Sequence, residues 1–352
     1  MYYFRPSLAD LLAYQPGEQP IAGTEVIKLN TNENPYPPSL KAIEALRSIN
    51  PDVLRRYPSP FAEEFRQKAA TLFSVDPDWI LIGNGSDELL TILLRSATDS
   101  ERSVAYPVPT YVLYRTLAKI QSAPIAEIPF DDTYTLPADN LAKASAALTI
   151  VASPNSPSGN RIPNDALANL AAKLKGILVI DEAYVEFSEG NALPLIKRFE
   201  NVIVLRTLSK SHSLAGLRLG LAIANPSLID VLAKVKDSYN VDVVSAHVGA
   251  AAICDTAHTR TNVKRVCASR ERLSKKLSEI GFRVWPSDAN FILTRPPDGN
   301  ARKLYLNLQK SGILVRYFDE PMLNDKLRIT IGTDNQNDQL LAAIQELTNY
   351  QK

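Results

Sequence analysis

The stretch VIVLRTLSKSHSLAGLRLGL, residues 202–221, decides the fold. Residues 202–205 form an apolar, β-branched run with the length and composition of a strand buried on both faces. A polar turn follows, with Lys210 set between Ser209 and Ser211. Arg218 comes next, after the small pair Ala215-Gly216. A lysine just past a buried strand, among small neighbours, can meet an electrophile with little crowding. Loss of hydration there favours the neutral, nucleophilic amine. An arbitrary lysine is a solvated surface group, so the flanking segments must decide.

Outward from this stretch the pattern repeats. Apolar runs at 79–82, 103–106, 124–129, 148–152 and 177–180 precede it, and 219–224 follows. Helical periodicity at 87–97, 110–118, around Leu141, 165–173 and 227–236 alternates with them. Seven such strands predict an α/β large domain with a mostly parallel, helix-covered sheet. Ligands of such sheets sit at the carboxyl ends of the strands. Upstream, 40–46 and 61–72 read as helices. Residues 1–37, broken by Pro16, Pro20, Pro35 and Pro37, read as an arm laid over a surface. After 247 the order changes: helices at 247–254 and 263–280, strands at 282–285 and 291–294, a helix at 302–310, strands at 313–316 and 327–331, and a helix from Asn337. This predicts an arm (1–37), a large domain (38–246) and a smaller α+β domain (247–352).

Composition narrows the class. The 352 residues are 45% apolar and carry a formal net charge of +1, which gives no basic field for nucleic acid or a membrane surface. Two cysteines, Cys254 and Cys267, are too few for a metal cluster and fit a reducing compartment. Arg5, Pro6 and Asp10 interrupt the first residues, so no signal-peptide core is read there. No apolar run nears the roughly 20 residues that span a bilayer. A cytoplasmic location is expected.

The polar residues gather at the strand ends. Gly83-Asn84-Gly85-Ser86-Asp87 follows the first strand and opens a helix. A helix N-terminus with glycines before it suits a phosphate, although a plain capped turn reads the same way. Ser153-Pro154-Asn155-Ser156-Pro157-Ser158-Gly159 is a loop with one amide, or a proline-rich surface turn. Asp181 ends an apolar strand, at a cost unless paired; an N-cap, a metal ligand and the partner of a buried cation all remain open. Tyr184, Lys210 and Arg218 complete the set. Pyridoxal 5′-phosphate calls for such a set: an amine for its aldehyde, a carboxylate for its ring nitrogen, donors for its phenolic oxygen, and cationic and backbone groups for its phosphate.

Further motifs occur in order: Asn32-Glu33-Asn34-Pro35, Arg56-Tyr57-Pro58, Pro109-Thr110-Tyr111, Asp181-Glu182-Ala183-Tyr184, Arg206-Thr207-Leu208-Ser209-Lys210, Ala289-Asn290-Phe291 and Leu327-Arg328-Ile329-Thr330. With them the chain resembles fold-type I pyridoxal-phosphate aminotransferases and, within those, the histidinol-phosphate aminotransferase family. The resemblance implies the aspartate-aminotransferase-like fold and these roles. Lys210 binds the cofactor aldehyde and moves the proton. Asp181 meets the ring nitrogen; Asn155 and Tyr184 meet the phenolic oxygen; Tyr111 stacks on the ring. Gly85, Ser86, Asp87, Thr207, Ser209 and Arg218 surround the phosphate, with the Asp87 carboxylate expected to cap its helix. Tyr57 reaches the site of a second subunit, which makes a homodimer, the arm packing on the small domain and partner. Tyr14, Asn32, Tyr57, Arg316 and Arg328 bind substrate. The implied substrates are L-histidinol phosphate with 2-oxoglutarate, yielding imidazole acetol phosphate and glutamate in a reversible, ping-pong transamination. Aromatic amino-acid transamination and threonine-phosphate decarboxylation share the cofactor set. A non-enzymatic cofactor-binding regulator would carry a basic DNA-binding extension. His212 is read as a packed ring and not as a base.

Overall fold

The computed structural model describes residues 25–348 together with Tyr3, Arg5, Leu8, Leu11 and Glu18. Tyr14 lies outside the described residues. A short strand, β1 (Ile27–Lys28), leads into α1 (Leu40–Arg47) and α2 (Glu63–Phe73). Then β2 (Ile80–Asn84), α3 (Gly85–Ala97), β3 (Val104–Val108), α4 (Leu113–Ile120), β4 (Ile125–Pro129), α5 (Ala138–Lys143), β5 (Leu148–Ala152), α6 (Asn164–Lys173), β6 (Ile177–Asp181), β7 (Val202–Thr207) and β8 (Leu219–Ala224) alternate. The chain continues through α7 (Pro226–Val235), α8 (Val243–Ile253), α9 (Thr256–Glu279), β9 (Arg283–Val284), β10 (Phe291–Arg295), α10 (Ala301–Lys310), β11 (Ile313–Leu314), β12 (Arg316–Tyr317), β13 (Leu327–Thr330) and α11 (Asp334–Thr348).

The seven strands expected from the sequence form one sheet in the order β2-β8-β7-β6-β5-β3-β4. All neighbours are parallel except β8, which runs antiparallel to both β2 and β7. Side chains alternate across this sheet with a period of two. Leu178, Ile180, Val202 and Val204 enter one core, while Val179, Ile203 and Leu205 enter the other. Burial on both faces explains why these strands read as unbroken apolar runs.

The second region has an antiparallel sheet, β12-β13-β10-β9, over a third core that includes Leu29, Val266, Leu273, Ile292 and Ile329. The expected single strand at 313–316 is divided: β11 pairs in parallel with β1, while β12 pairs with β13. Thus β1 is stitched directly onto this region.

Helices α8 and α9 start four and seven residues earlier than the apolar pattern indicates. Helix α9 starts at Thr256, and its first turns bury Thr259 and Asn262, so its inner face is polar there and shows no apolar period. Helix α8 starts at Val243, capped by the Asp242 side chain on the Ser245 N–H. It buries small residues on nearly every side, including Ala246, Gly249 and Ala252. It packs on α1 and α2, so the boundary expected at 246/247 falls inside it. Helix α4, by contrast, starts at Leu113 and not at 110, leaving Pro109, Thr110 and Tyr111 in the turn after β3.

One glycine ties the sheet to the turn after β2. Gly220 on β8 pairs with Gly83 on β2. A Cβ at Gly220 would lie 2.5 Å from both Gly85 C and Ser86 N. Both are backbone atoms and cannot swing away. Gly220→Ala is therefore expected to cost roughly 1–3 kcal/mol through overpacking, and to displace the Gly85-Ser86 turn. A thermal melt and a titration with pyridoxal phosphate check both effects.

Candidate active site

The strand order becomes an order of side chains along one edge. The parallel strands present their carboxyl ends there, and reversed β8 presents its start. From β2 outward the edge carries Ser86 and Asp87, then Arg218 before β8, then Thr207, Ser209 and Lys210, then Asp181, Asn155 after β5, and Tyr111 after β3. Opposite this edge lie the segment after β1 and the strands β12 and β13. Between them is a cavity of about 530 Å³. Ser86, Asp87, Tyr111, Asp181, Tyr184, Thr207, Ser209, Lys210 and Arg218 line it, as do Asn32, Arg316 and Arg328.

Lys210 is half-buried, and its Nζ donates to the Thr31 carbonyl at 3.2 Å. It lies 5.8 Å from the Tyr184 ring centroid. The Tyr184 hydroxyl accepts from Asn32 Nδ2 at 2.9 Å, leaving its own proton to donate. Asn34 Nδ2 donates to the Lys210 and Ser211 carbonyls at 3.1 and 3.2 Å, so the segment after β1 braces the lysine turn. His212 lies outside the cavity lining; burial lowers its pKa.

Asp181 is buried and accepts from the Tyr114 hydroxyl at 2.7 Å and the Ala183 N–H at 3.2 Å. Burial pushes its carboxyl up, and these two donors oppose the rise. Nothing in the sequence singles out Tyr114. Three residues beyond Tyr111, on an amphipathic helix, it reads as ordinary core.

At the other end, Arg218 holds φ at 51°, a conformation uncommon for a side-chain-bearing residue and often found at functional sites. Its guanidinium donates to Asp87 Oδ2 at 3.0 Å, and Asp87 Oδ1 accepts from Tyr111 at 3.3 Å. The expectation that Asp87 caps α3 is therefore corrected. The Arg218 charge draws that carboxylate across the turn, and Glu88 accepts the Asn84 N–H instead, at 2.6 Å. Asn84 makes no side-chain cap bond to α3. Gly85 has φ of +80°, and a Cβ there would sit 2.7 Å from Arg218 Nη2. Glycine lets Arg218 close over the turn. Thr207 Oγ1 lies 3.0 Å from Ser209 Oγ.

Asn155 and Tyr57 are not among the lining residues. The Asn155 amide donates to Pro109 O at 3.1 Å and Ser158 Oγ at 2.7 Å, and its Oδ1 accepts from Thr110 at 2.7 Å. In this state it anchors the turn that carries Tyr111. Tyr57 is 83% exposed and stacks on Tyr239 with centroids 4.7 Å apart.

Arg316 and Arg328 are directly opposed in the β12–β13 register. Like charges so placed repel one another, and both half-buried guanidinium groups lie near the Phe318 ring, at 5.4 and 5.6 Å. Arg328 also donates to Ser156 Oγ at 3.1 Å and to the Asn30 carbonyl at 2.8 Å. Two guanidinium groups at one cavity can bind an anion together.

The donor set fits pyridoxal phosphate. The α3 N-terminus and Arg218 supply phosphate-binding groups, Asp181 supplies a buried anion for a protonated ring nitrogen, and Lys210 supplies the amine. Among the described residues no group of three or more His, Cys, Asp or Glu could hold a metal ion. Nor is any helix among them long and apolar enough to cross a membrane.

The profile of the family "Aminotransferase class I and II" matches residues 24–344, and the chain belongs to that pyridoxal-phosphate-dependent family. It is 54% identical over 345 residues to histidinol-phosphate aminotransferase 1 of Trichormus variabilis, covering 98% of this chain and 99% of that one. It is 43% identical to the histidinol-phosphate aminotransferase of Rhodopirellula baltica, covering 97% and 95%. The crystal structure of histidinol-phosphate aminotransferase from Sinorhizobium meliloti in complex with pyridoxal-5′-phosphate superposes with a TM-score of 0.90 at 25% identity, covering 99% of this chain and 98% of that one.

Next to Asp181, Glu182 points to the opposite face of the sheet. There it accepts from Arg206 Nε at 2.8 Å, and Arg206 Nη1 also donates to Glu186 at 3.1 Å. Burial outweighs the Arg206 charge and pushes the Glu182 carboxyl from 4.5 up to about 7. A carboxyl with a raised folded pKa contributes its stability below the unfolded pKa and loses it as pH rises through the folded value. Relative to Glu182→Gln, the wild-type protein is therefore expected to lose stability as pH rises from about 4.5 through 7. Chemical denaturation of both proteins across that window checks the sign.

Proposed function

We propose that this chain transfers the amino group of L-histidinol phosphate to 2-oxoglutarate, giving imidazole acetol phosphate and L-glutamate, with pyridoxal phosphate as cofactor. The observation that carries the reading is the opposed pair Arg316–Arg328 at the cavity that contains Lys210. One substrate brings a phosphate and the other two carboxylates, and planar guanidinium groups fit both chemistries. The relatives at 54% and 43% identity bear the same activity in their names.

When bound, the cofactor supplies a carbonyl for amine exchange and an electron sink for the substrate carbon that loses its proton. The chain's residues do the rest. Lys210 Nζ takes the proton from the substrate carbon and returns it, as a general base and acid. Asp181 holds a proton on the ring nitrogen. Tyr184, oriented by Asn32, donates its hydroxyl proton. Ser86, Ser209, Thr207 and Arg218 would bind the cofactor's phosphate. Arg328, held by Ser156 and Asn30, orients the anionic end of the substrate.

The reading includes a homodimer. Leu40 is 75% exposed, Leu54 61% and Tyr57 83%, large side chains from α1 and the segment after it that a second copy would cover. Tyr57 lies away from its own cavity and would serve the partner's. The free thiols Cys254 and Cys267 agree with a reducing, cytoplasmic setting.

Purified protein with cofactor, L-histidinol phosphate and 2-oxoglutarate should form glutamate faster than with phenylalanine or threonine phosphate. No glutamate from histidinol phosphate, beside turnover on phenylalanine, would refute the substrate assignment. Arg328→Ala should lower kcat/KM for histidinol phosphate by about 30-fold, equivalent to roughly 2 kcal/mol for a charge-assisted contact. For the shared site, Lys210→Ala and Tyr57→Ala chains, each poorly active alone, should recover activity when unfolded and refolded together.

A further inference from the structure

Asp181 faces the cofactor cavity from the end of β6 and is 5% exposed; Tyr114, its hydroxyl partner at 2.7 Å, is fully buried. Tyr114 sits in the first turn of α4, where its N–H bonds the Tyr111 carbonyl at 3.2 Å. Its ring meets Tyr111 edge-on at 5.7 Å and Tyr106 at 5.8 Å. Those ring contacts would hold a phenylalanine equally well. The hydroxyl is needed for one thing that the ring is not: its bond to the Asp181 carboxylate.

We propose that Tyr114 is a positioning residue for the cofactor: its hydroxyl fixes the Asp181 carboxylate in the orientation and ionised state that the ring nitrogen requires. The inference rests on the cofactor role proposed for Asp181. A donor bonded to the ionised form stabilises that form against burial. The donor is neutral, so it does so without cancelling the negative charge. The other groups around the pair are the Ala183 N–H, the Asp87 carboxylate on α3, and the Tyr111 and Tyr184 hydroxyls. Asp87 acts against ionisation, and neither Tyr111 nor Tyr184 bonds the Asp181 carboxylate among the hydrogen bonds described. Tyr114 thus supplies the side-chain donor, beside one longer backbone bond at 3.2 Å.

The test titrates apoprotein, prepared from the holoenzyme, with pyridoxal phosphate. Tyr114→Phe should stay folded and bind the cofactor roughly tenfold more weakly, the scale of one hydrogen bond to a charged group. The pH below which affinity is lost should move up by about one unit, because Asp181 takes a proton more readily without the donor. In an Asp181→Asn background, Tyr114→Phe should have no further effect on affinity. Unchanged affinity and pH profile in Tyr114→Phe would overturn the inference. So would an equal loss in the Asp181→Asn background, or a variant that fails to fold, since the hydroxyl would then support packing. If Asp181→Asn itself leaves affinity unchanged, the role of Asp181 fails first, and the two failures are told apart.

Discussion

Strand β8 runs against both of its neighbours, and the site depends on that reversal. A sheet that was parallel throughout would present only carboxyl ends at the ligand edge. Reversed β8 brings its start there, and Arg218, the residue before Leu219, arrives between the β2 turn and the lysine turn. The constraint reaches further into the sequence. Gly220 must lack a Cβ because the Gly85-Ser86 backbone crosses it, and Gly85 must lack one because Arg218 folds over it. A single change of strand direction thus sets two glycines, one left-handed arginine and the place where phosphate chemistry can occur.

The second wall of the cavity comes from a separate core, and the segment after β1 joins the two. Strand β1 pairs with β11 through Ile27 and Lys28, and in the segment after it Asn32 bonds Thr330 on β13 and Tyr184 on the large-sheet side. Thr31 and Asn34 touch Lys210 and its turn. Few of these bonds hold more than about 1 kcal/mol each. Their effect lies in geometry: together with the Arg328–Ser156 bond and the Asp288 N–H on the Gly159 carbonyl, this segment holds the arginines on β12 and β13 at their distance from Lys210. The like charges at Arg316 and Arg328 share the Phe318 face, and Arg328 also meets the Ser156 hydroxyl and the Asn30 carbonyl.

Much of this was legible in the sequence, and what was not has physical causes. The inner strands of the large sheet are legible because burial on both faces leaves uninterrupted apolar runs, whereas the edge strand β4 is only partly buried and is interrupted by Glu127. Lys210, Asp181 and Arg218 stood out because charge at the end of such a run needs a reason. Helix α9 reads short in sequence because Thr259 and Asn262 face inward and give no apolar signal. The division of 313–316 into two strands depends on which partners those residues meet, and neither partner is local. The Asp87 carboxylate reads in sequence as a cap of its own helix because its partner, Arg218, lies 131 positions away. Tyr114 escaped notice for the opposite reason: a buried tyrosine on an amphipathic helix looks like packing until its hydroxyl is placed.

Asp181 and Glu182 then show how one strand treats two adjacent buried acids differently. They point to opposite faces of the sheet. Glu182 meets a cation, Arg206, which also binds Glu186, and this charged cluster is sealed away from the ligand. Such a group supports the join between β6 and β7 and has no charge to offer outside. Among the described residues Asp181 meets only neutral donors, Tyr114 and a backbone N–H. An arginine in place of Tyr114 would neutralise the carboxylate and remove the attraction for a protonated ring. A purely apolar neighbour would leave the carboxylate to take up a proton of its own. A tyrosine hydroxyl avoids both outcomes, and so the same residue type that fills a core can keep an anion available at its edge.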